Sequence, residues 1–368
     1  MTKFDRNQPF NAIPLLPPPE EKIYSKDVLL KLVEASHFIG KLDGISQKLP
    51  NPLMLVNTIA LQEAKSSSEI ENIFTTDDEL YKAISTTDTI ISPNAKEVLR
   101  YRESLWLGVK SISNTNNIEL STIIKIYQKI KESNTQLRPE HSNVRIIKGG
   151  KSLTSGEVVY TPPKGDKLIK DLMENILQFI NNDKRHNINP LLKMVISHYQ
   201  FEAIHPFSDG NGRTGRILNV LILINKGLIR YPILYLSKYI INNKDSYYHY
   251  LNGVSARQDW ENWLKFMLTA ISETAQYTIF KIEEIMEQFE STRKYIDKRF
   301  PKLDYSVIEA IYTQPYIKAV HLVGEKIRSR NTAAKYLEKL SELNVLESRQ
   351  IGNERVYINN DLIRILEG

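Results

Sequence analysis

His205-Pro-Phe-Ser-Asp-Gly-Asn-Gly-Arg-Thr-Gly-Arg216 is the stretch that decides the fold, because it joins a predicted helix, Leu191 to Ile204, to the apolar run Ile217 to Ile224. This order predicts a loop that leads directly into the N-terminus of a buried helix. Such a terminus carries free backbone N–H groups and the positive end of the helix dipole, and it therefore attracts anions. The stretch predicts an anion-binding site.

The glycines and arginines of this stretch suit a polyphosphate. Glycines at 210, 212 and 215 let the backbone approach a phosphate closely. Arg213 and Arg216 are three residues apart, so on a helix they share a face and can clamp one polyphosphate. A single glycine-rich turn usually only connects two elements, and it is the full combination that indicates a binding site.

Two further side chains of the stretch supply chemistry. Asp209 can hold Mg²⁺, which usually binds through few carboxylates together with phosphate oxygens. His205 titrates near neutral pH and is the candidate base, although a lone histidine before proline is usually a loop residue. The stretch is not a Walker loop, since no Gly-Lys-Ser/Thr ends it. It is not a Rossmann fingerprint either, since no predicted strand precedes it.

The twelve residues resemble the signature of the Fic family (filamentation induced by cAMP), His-Pro-Phe-x-Asp/Glu-Gly-Asn-Gly-Arg-x-x-Arg, at every fixed position. The resemblance implies transfer of AMP from ATP, with Mg²⁺, to a hydroxyl group of a protein. It implies that His205 takes the proton from that hydroxyl, that Asp209 binds Mg²⁺, and that Arg216 meets the γ-phosphate. The residues that it implies for ATP binding are Gly210, Asn211, Gly212, Arg213, Thr214, Gly215, Arg216 and Tyr247.

Three more features of the nucleotide site follow from the same resemblance. The related phosphorylating branch carries a lysine-bearing variant of the loop, and Gly212 in this chain favours nucleotidyl transfer instead. The resemblance places a nucleotide-contacting tyrosine at Tyr247, whereas Ser255 stands where some relatives have asparagine. His198 is expected to be a packed or hydrogen-bonded core histidine, since no metal-ligand spacing surrounds it.

Composition limits the class of protein. The 368 residues are 41% apolar and 25% charged, typical of a soluble globular chain with room for two or three domains. No cysteine is present, which excludes disulfides and thiolate chemistry. No apolar run is long enough to span a bilayer, so we expect a cytoplasmic protein without membrane contact. The net charge of +6 is too diffuse to indicate nucleic acid.

Residues 1–93 are predicted to form an N-terminal region with an extended arm, two helices over 23–49 and 53–71, and a polar linker from Thr75 to Pro93. The second helix ends in Ser67-x-x-x-Glu71-Asn72, which by itself is an ordinary polar helix end. It is similar to the Fic inhibitory motif, Ser/Thr-x-x-x-Glu-Gly/Asn. The resemblance implies that Glu71 pairs with Arg216 in a bidentate contact and so keeps the γ-phosphate away from it.

Residues 94–290 are predicted to be the helical catalytic core, interrupted by a hairpin. The β-rich runs Val144–Ile147 and Glu157–Tyr160 flank a predicted turn at Lys148–Gly150. The hairpin is either an ordinary surface feature or, by the resemblance, the flap over the active site. A flap edge can register a target segment through main-chain hydrogen bonds. The residues predicted to form that edge are Val158, Val159 and Tyr160.

Residues 301–368 are predicted to be a separate module with helices near 305–312 and 332–346 and a final hairpin, the outline of a winged helix. Basic residues such as Arg328 and Arg330 would face DNA in such a module. Residues 304–368 nevertheless hold nine basic and nine acidic residues, whereas DNA-binding modules are usually basic. We therefore favour a protein contact or homodimerisation over DNA binding.

The sequence thus predicts a mainly α-helical Fic-type protein adenylyltransferase that is restrained by its own Glu71. Its expected substrates are ATP and a Tyr, Ser or Thr hydroxyl of a target protein, or of the chain itself, which has 19 tyrosines. Two other functions stay open. One is removal of AMP from modified proteins at the same site, with Glu71 orienting water. The other is a DNA-bound regulator that acts through the winged helix.

Overall fold

The chain folds mainly into helices in the computed structural model, which describes residues 4–49, 51–86, 91–152, 155–324 and 326–367. The helices of the N-terminal region are α1 (Glu20–Ile23), α2 (Lys26–Ser46), α3 (Leu53–Ile70) and α4 (Asp77–Ser85). The central region contains α5 (Pro93–Thr115), α6 (Leu120–Lys131), β1 (Ile146–Ser152), β2 (Ser155–Tyr160), α7 (Asp166–Asn181), α8 (Pro190–Ile204), α9 (Asn211–Asn225), α10 (Leu236–Asn242), α11 (Lys244–Arg257) and α12 (Trp260–Arg299). The C-terminal region contains α13 (Tyr305–Thr313), β3 (Tyr316–Ile317), a 3₁₀ helix (Ala319–Leu322), α14 (Arg330–Glu342), β4 (Glu347–Ile351), β5 (Glu354–Ile358) and α15 (Asn360–Glu367). The predicted mainly α-helical class is confirmed.

Helices α8 and α9 form the centre of the core and flank the quoted loop. Every residue of α8 from Leu191 to Ile204 is buried, as expected for a helix that neighbours surround on all sides. The helix ends at His205, whose backbone is left-handed at φ 52°, and Pro206 cannot continue it. Helix α9 begins six residues later, so the short loop between them is held by two immobile elements.

Helix α2 packs along the 40-residue helix α12 and supports α8 from outside. Its buried stripe has the spacing of one helical face and consists of Val28, Leu32, Ala35, Ile39 and Leu42. Ser25 caps its N-terminus by accepting a hydrogen bond from the N–H of Val28 at 3.3 Å. The predicted helix over 23–49 is present within these slightly shorter bounds.

Helix α4 corrects the prediction that residues 75–93 are a polar linker. Thr76 caps it by accepting from the N–H of Glu79 at 3.1 Å, and three acidic residues in the first turn favour the helix dipole. Leu80 and Tyr81 are buried on its inner face. The helix is only two and a half turns long. Leu80 and Tyr81 alone do not make a helical period, so the sequence pattern did not indicate a helix among these polar residues.

The hairpin of β1 and β2 is present, but the predicted turn at Lys148–Gly150 is wrong. Those residues belong to β1, and Lys148 pairs with Glu157 in the antiparallel register. The connection between the strands falls at residues 153–154, outside the described residues. A register shift between Ile146 and Ile147 bends the hairpin, because the partners of these neighbours are Tyr160 and Val158.

The C-terminal region forms a three-stranded antiparallel sheet in the order β3-β5-β4, with α13, α14 and α15 around it. Gly352, at φ 57°, makes the turn between β4 and β5. The predicted order of helix, helix and hairpin is present in α13, α14 and the pair β4–β5, whereas β3 and α15 were not predicted. The assignment as a winged helix remains a prediction. The sheet contacts the N-terminal region through Tyr316, whose hydroxyl donates to Asp78 Oδ1 at 2.6 Å.

Hydropathy adds one observation on membranes. Across the described ranges, each helix is either too short or too polar to cross a bilayer.

Candidate active site

His205 lies at the junction of α8 and the loop and is half-buried as a residue, with its imidazole turned into the protein at Nδ1. Burial, followed by the positive charge of Arg138, lowers the pKa of the imidazole to about 4. The ring is therefore neutral at physiological pH, which is the form that accepts a proton. Its Nδ1 is buried without a hydrogen-bond partner among the described residues.

Arg138 anchors the loop and was missed from the sequence. Its Nε donates to the carbonyl oxygen of His205 at 2.8 Å, and its Nη2 donates to the carbonyl oxygens of Ile204, at 3.2 Å, and Pro163. A planar guanidinium with several donors can hold three carbonyls at once. Arg138 thereby links Pro163, which follows the hairpin, to the backbone of His205, the candidate base.

The N-terminus of α9 lies where the sequence predicts it, directly after the loop. Gly210 precedes it with φ 76°, a left-handed conformation that suits glycine. The backbone N–H groups of residues 211–213 have no hydrogen-bond partner in the described structure, and that of Thr214 is the first to bond back, to the Gly210 carbonyl at 3.1 Å. These N–H groups are therefore available to an anion.

Several side chains of the loop stabilise the conformation of the loop itself. The Asn211 amide accepts from the N–H of Phe207 and donates to its carbonyl, both at 2.8 Å. Thr214 donates its hydroxyl to the Gly210 carbonyl at 2.9 Å. A Cβ on Gly215 would lie 3.0 Å from the ring of Phe201, so this glycine permits close packing of α8 and α9. The phosphate role predicted for Asn211, Thr214 and Gly215 stays a prediction. The backbone N–H of Asn211 is free for it, whereas that of Thr214 bonds to the Gly210 carbonyl.

Arg216 and Glu71 are in contact, as the resemblance implied. Nη2 of Arg216 donates to Glu71 Oε1 at 2.8 Å and to the Ser67 carbonyl at 2.8 Å, and Nε donates to Ser67 Oγ at 2.7 Å. The predicted bidentate geometry is wrong, because one carboxylate oxygen carries the contact and Ser67 accepts from Nε and Nη2. The Arg216 side chain is 3% exposed and that of Glu71 is 34% exposed. Burial acts to lower the pKa of Arg216, but the charge and hydrogen bond of Glu71, together with Tyr101 and Tyr247, outweigh it and raise the pKa.

Asn72 explains how Glu71 reaches the arginine. Helix α3 ends at Ile70, and Asn72 takes a left-handed backbone with φ 61°. Its N–H donates to the Glu69 carbonyl at 3.0 Å, which closes the last turn. Glu71 thus projects from the C-terminal end of α3 toward the N-terminus of α9. A Cβ on Gly212 would collide with Glu71 Oε1, so glycine at 212 is required for this approach.

Two further ion pairs were not predicted. Lys131, at the end of α6, donates to Asp209 Oδ2 at 2.6 Å, and Arg213 Nη1 donates to Glu97 Oε1 of α5 at 2.6 Å. Partial burial would raise the pKa of Asp209, but the hydrogen bond and charge of Lys131, together with the N–H of Gly210 and the charge of Arg213, outweigh that effect and lower the pKa. Asp209 and Arg213, the predicted ligands of Mg²⁺ and phosphate, are therefore both held by other side chains.

Two buried carboxyl groups lie behind the arginines. Burial raises the pKa of both Glu63 and Glu202 to about 7, against the charge of Arg216, which lowers it. Glu63 accepts from the N–H and hydroxyl of Ser237, whereas Oε1 of Glu202 has no partner among the described residues. In the sequence both look like ordinary polar positions of a helix, so nothing indicated their burial.

Tyr247 is more deeply buried than expected for a residue that is predicted to contact the nucleotide. Its hydroxyl hydrogen-bonds Nε2 of His198 at 2.8 Å inside the core. Burial, and then the charge of Arg216, lowers the pKa of His198 to about 3, so it is a neutral core histidine as expected. The neighbouring Tyr248 is the more exposed ring. Ser255 hydrogen-bonds the hydroxyl of Tyr199 at 3.0 Å.

The hairpin is attached to the site through Tyr160. Its buried hydroxyl donates to the Ala203 carbonyl at 2.9 Å, two residues before His205. Its ring stacks on Phe4 with centroids 6.1 Å apart. Tyr160 is thus an anchor whose side chain is unavailable to a target, and Val158 and Val159 remain the partly buried candidates for a docking edge.

The donors present suit Mg²⁺ only if a substrate contributes ligands. Among the described residues, no cluster of three or more His, Asp or Glu side chains has the geometry to hold a metal. Asp209 supplies a single carboxylate beside free backbone N–H groups. Mg²⁺ is commonly bound by one or two carboxylates together with phosphate oxygens, so this residue fits a cation that arrives with a nucleotide.

A helical core, a helix terminus with free N–H groups, a neutral histidine and two arginines together form the arrangement that the Fic signature implied. Three family models match the chain: "Fic/DOC family N-terminal" at residues 29–110, "Fic/DOC family" at 117–223, and "Protein adenylyltransferase SoFic-like, C-terminal domain" at 288–362. Together with the signature, they show that the chain belongs to the Fic/DOC family.

Curated relatives carry related names. The chain is 25% identical over 207 residues to the protein adenylyltransferase Fic of Drosophila mojavensis, covering 55% of this chain and 39% of the relative. It is 28% identical over 183 residues to a probable protein adenylyltransferase of Aquifex aeolicus, covering 49% of this chain and 52% of the relative. The chain thus spans about half or less of the length of these relatives.

Solved structures share the fold. A Fic family protein from Desulfovibrio desulfuricans has a TM-score of 0.56 at 19% identity, over 91% of this chain and 96% of that one. Fic-1 from C. elegans has a TM-score of 0.53 at 16% identity, over 69% of this chain and 74% of that one. At these identities the likeness concerns the fold.

Proposed function

We propose that this protein is a self-restrained adenylyltransferase that moves AMP from ATP to a Tyr, Ser or Thr hydroxyl of a target protein or of itself. The names of the curated relatives support the reaction type. The observation that carries the restraint is the triple contact of Arg216 with Ser67 and Glu71. It joins the N-terminal inhibitory segment to an arginine beside the anion-binding helix terminus.

In this proposal the phosphates of ATP bind at the N-terminus of α9. The free N–H groups of residues 211–213 donate to them, and Arg213 and Arg216 add charge-assisted hydrogen bonds. Asp209 would hold Mg²⁺, which when bound neutralises part of the phosphate charge. This arrangement serves positioning and charge neutralisation, which dominate phosphate-transfer catalysis.

His205 is the proposed general base. The target hydroxyl oxygen bonds to the α-phosphorus of ATP while the bond from that phosphorus to the α–β bridging oxygen breaks. The hydroxyl proton passes to the neutral imidazole, and pyrophosphate leaves with its charge balanced by the arginines. The low pKa of His205 keeps the ring deprotonated before the step.

Glu71 restrains the reaction through electrostatics. Its carboxylate occupies a donor of Arg216 that the γ-phosphate needs, and its negative charge repels that phosphate. The contact is partly exposed on the Glu71 side, so we estimate its value at about 1–2 kcal/mol, below that of a fully buried pair. Productive ATP binding in the resting protein is reduced by the corresponding factor, roughly 5–30-fold.

Label transfer from α-labelled ATP with Mg²⁺ tests the proposal. The proteins compared are wild type, Glu71→Gly and Glu71→Gly/His205→Ala, each alone and with a cell lysate as a source of targets. We expect protein-bound label to rise in the first variant and to vanish in the second. Label that comes from γ-labelled ATP instead would show phosphoryl transfer, and label that persists without His205 would exclude it as the base.

A further inference from the structure

Two ion pairs hold the residues on which Mg-ATP would depend. Oδ2 of Asp209 accepts from Lys131 Nζ at 2.6 Å, and its Oδ1 accepts from the N–H of Gly210 at 2.6 Å. Both carboxylate oxygens are therefore engaged within the protein. Arg213 donates to Glu97 at 2.6 Å, so its charge is also compensated internally. Neither contact involves Ser67 or Glu71.

We propose that Lys131 and Glu97 are positioning residues that form a second restraint on the site, separate from Glu71. This inference rests on the proposed function, because it assigns Asp209 to Mg²⁺ and Arg213 to phosphate. In the resting protein Lys131 holds Asp209 and Glu97 holds Arg213. A divalent cation and a nucleotide bind by taking over these contacts.

The ion pairs Lys131–Asp209 and Glu97–Arg213 are adjacent, so breaking one affects the other. Lys131 Nζ lies 3.9 Å from Glu97 Oε1, already within ion-pair distance. When a cation takes Asp209, Lys131 keeps Glu97 as a partner and can strengthen that contact. When a phosphate takes Arg213, Glu97 likewise keeps Lys131. This change of partners therefore leaves no isolated charge, and binding of the cation to Asp209 and binding of the phosphate to Arg213 favour each other.

The surroundings indicate that both side chains are held in place. A Cβ on Gly210 would lie 3.2 Å from Cδ of Lys131, so the lysine stem lies directly over the loop. The Arg213 side chain is 2% exposed, yet its Nε has no hydrogen-bond partner among the described residues. An orphaned donor on a buried arginine marks capacity for a further acceptor, such as a phosphate oxygen.

Binding of Mn²⁺ in the presence of a non-hydrolysable ATP analogue tests the role of Lys131, because the single carboxylate of Asp209 needs phosphate oxygens beside it to hold a cation. The readout is electron paramagnetic resonance of protein-bound Mn²⁺. Lys131→Met keeps the stem over Gly210 and removes the ammonium. Lys129→Met is the matched control, because Lys129 lies on the same helix and pairs with Glu103 at 2.6 Å instead. Since the Asp209 side chain is 70% exposed, we expect Mn²⁺ to bind Lys131→Met roughly two- to fivefold more tightly than either wild type or the control.

Asp209→Asn separates this inference from the proposed function. If Mn²⁺ binds Asp209→Asn as well as wild type, the metal assignment of the proposed function is wrong. If Asp209→Asn loses Mn²⁺ but Lys131→Met binds no more tightly than Lys129→Met, only the second restraint is wrong. Absence of binding to every variant up to millimolar Mn²⁺ would also overturn it. Thermal unfolding of each variant confirms that the comparison is made on folded protein.

Discussion

Replacing Glu71 by glutamine should activate the protein without removing the side chain. Glutamine keeps the length and one acceptor oxygen, so the 2.8 Å contact with Arg216 can persist as a neutral hydrogen bond. The negative charge that competes with the γ-phosphate is lost. The effect of Glu71→Gln therefore isolates the electrostatic part of the restraint from the steric part.

The size of the effect follows from exposure. Arg216 is almost fully buried, whereas about a third of the Glu71 side chain is exposed. We take about 1–2 kcal/mol for the charge, which corresponds to a roughly 5–30-fold faster initial rate of AMP transfer at subsaturating ATP. Ser67→Ala should activate less, because it removes one hydrogen bond to Arg216 and leaves the carboxylate in place.

The assay is incorporation of α-label into protein at fixed ATP and Mg²⁺. Glu69→Gln is the matched control, since it removes one negative charge two residues earlier on the same helix. A folded Glu71→Gln that transfers AMP no faster than Glu69→Gln would refute the electrostatic explanation. Glu71→Gly would then act by removing bulk next to Gly212.

Three other predictions follow from the site. The transfer rate should stay level as pH falls from 8 and decline only toward the pKa of about 4 of His205; a decline centred near 6.5 would contradict burial of the ring. Arg138→Met should move this decline in rate to higher pH, because the arginine charge lowers the pKa of His205. The same variant loses the hydrogen bonds to the backbone of residues 204 and 205, so the free energy of unfolding in denaturant titrations should fall by about 3 kcal/mol. Glu63→Gln should become more stable than wild type as pH rises from 4.5 to 8, by up to about 3 kcal/mol. The reason is that the raised pKa of Glu63 makes its charged form unfavourable in the folded protein. A stability difference that does not change with pH in melting experiments would exclude a raised pKa of Glu63.

The local part of the site could be predicted from the sequence. Residues 205–216 are contiguous, so their glycines, arginines and the apolar run that follows indicate a loop and a helix terminus without reference to the rest of the fold. The contact of Glu71 with Arg216 spans 145 residues, and it was predicted because a family motif links the two positions. The geometry of that contact depended on Ser67, which no pattern specified.

The remaining contacts of the site depend on helix packing. Glu97 and Arg213 are 116 residues apart, and Lys131 and Asp209 are 78 apart. Each of the acidic and basic residues involved looks like a solvated position of an amphipathic helix, and only the placement of α5 and α6 beside α9 brings them together. Arg138 lies in a segment without regular structure, where periodicity carries no information.

Intact-protein mass spectrometry of Glu71→Gly, after incubation with ATP and Mg²⁺, is the most direct test of AMP transfer by His205. We expect a mass increase of one AMP moiety on the protein or on an added target, and no increase when His205→Ala is added to the same variant. An increase of one phosphate, or an AMP adduct that forms equally well without His205, would contradict it.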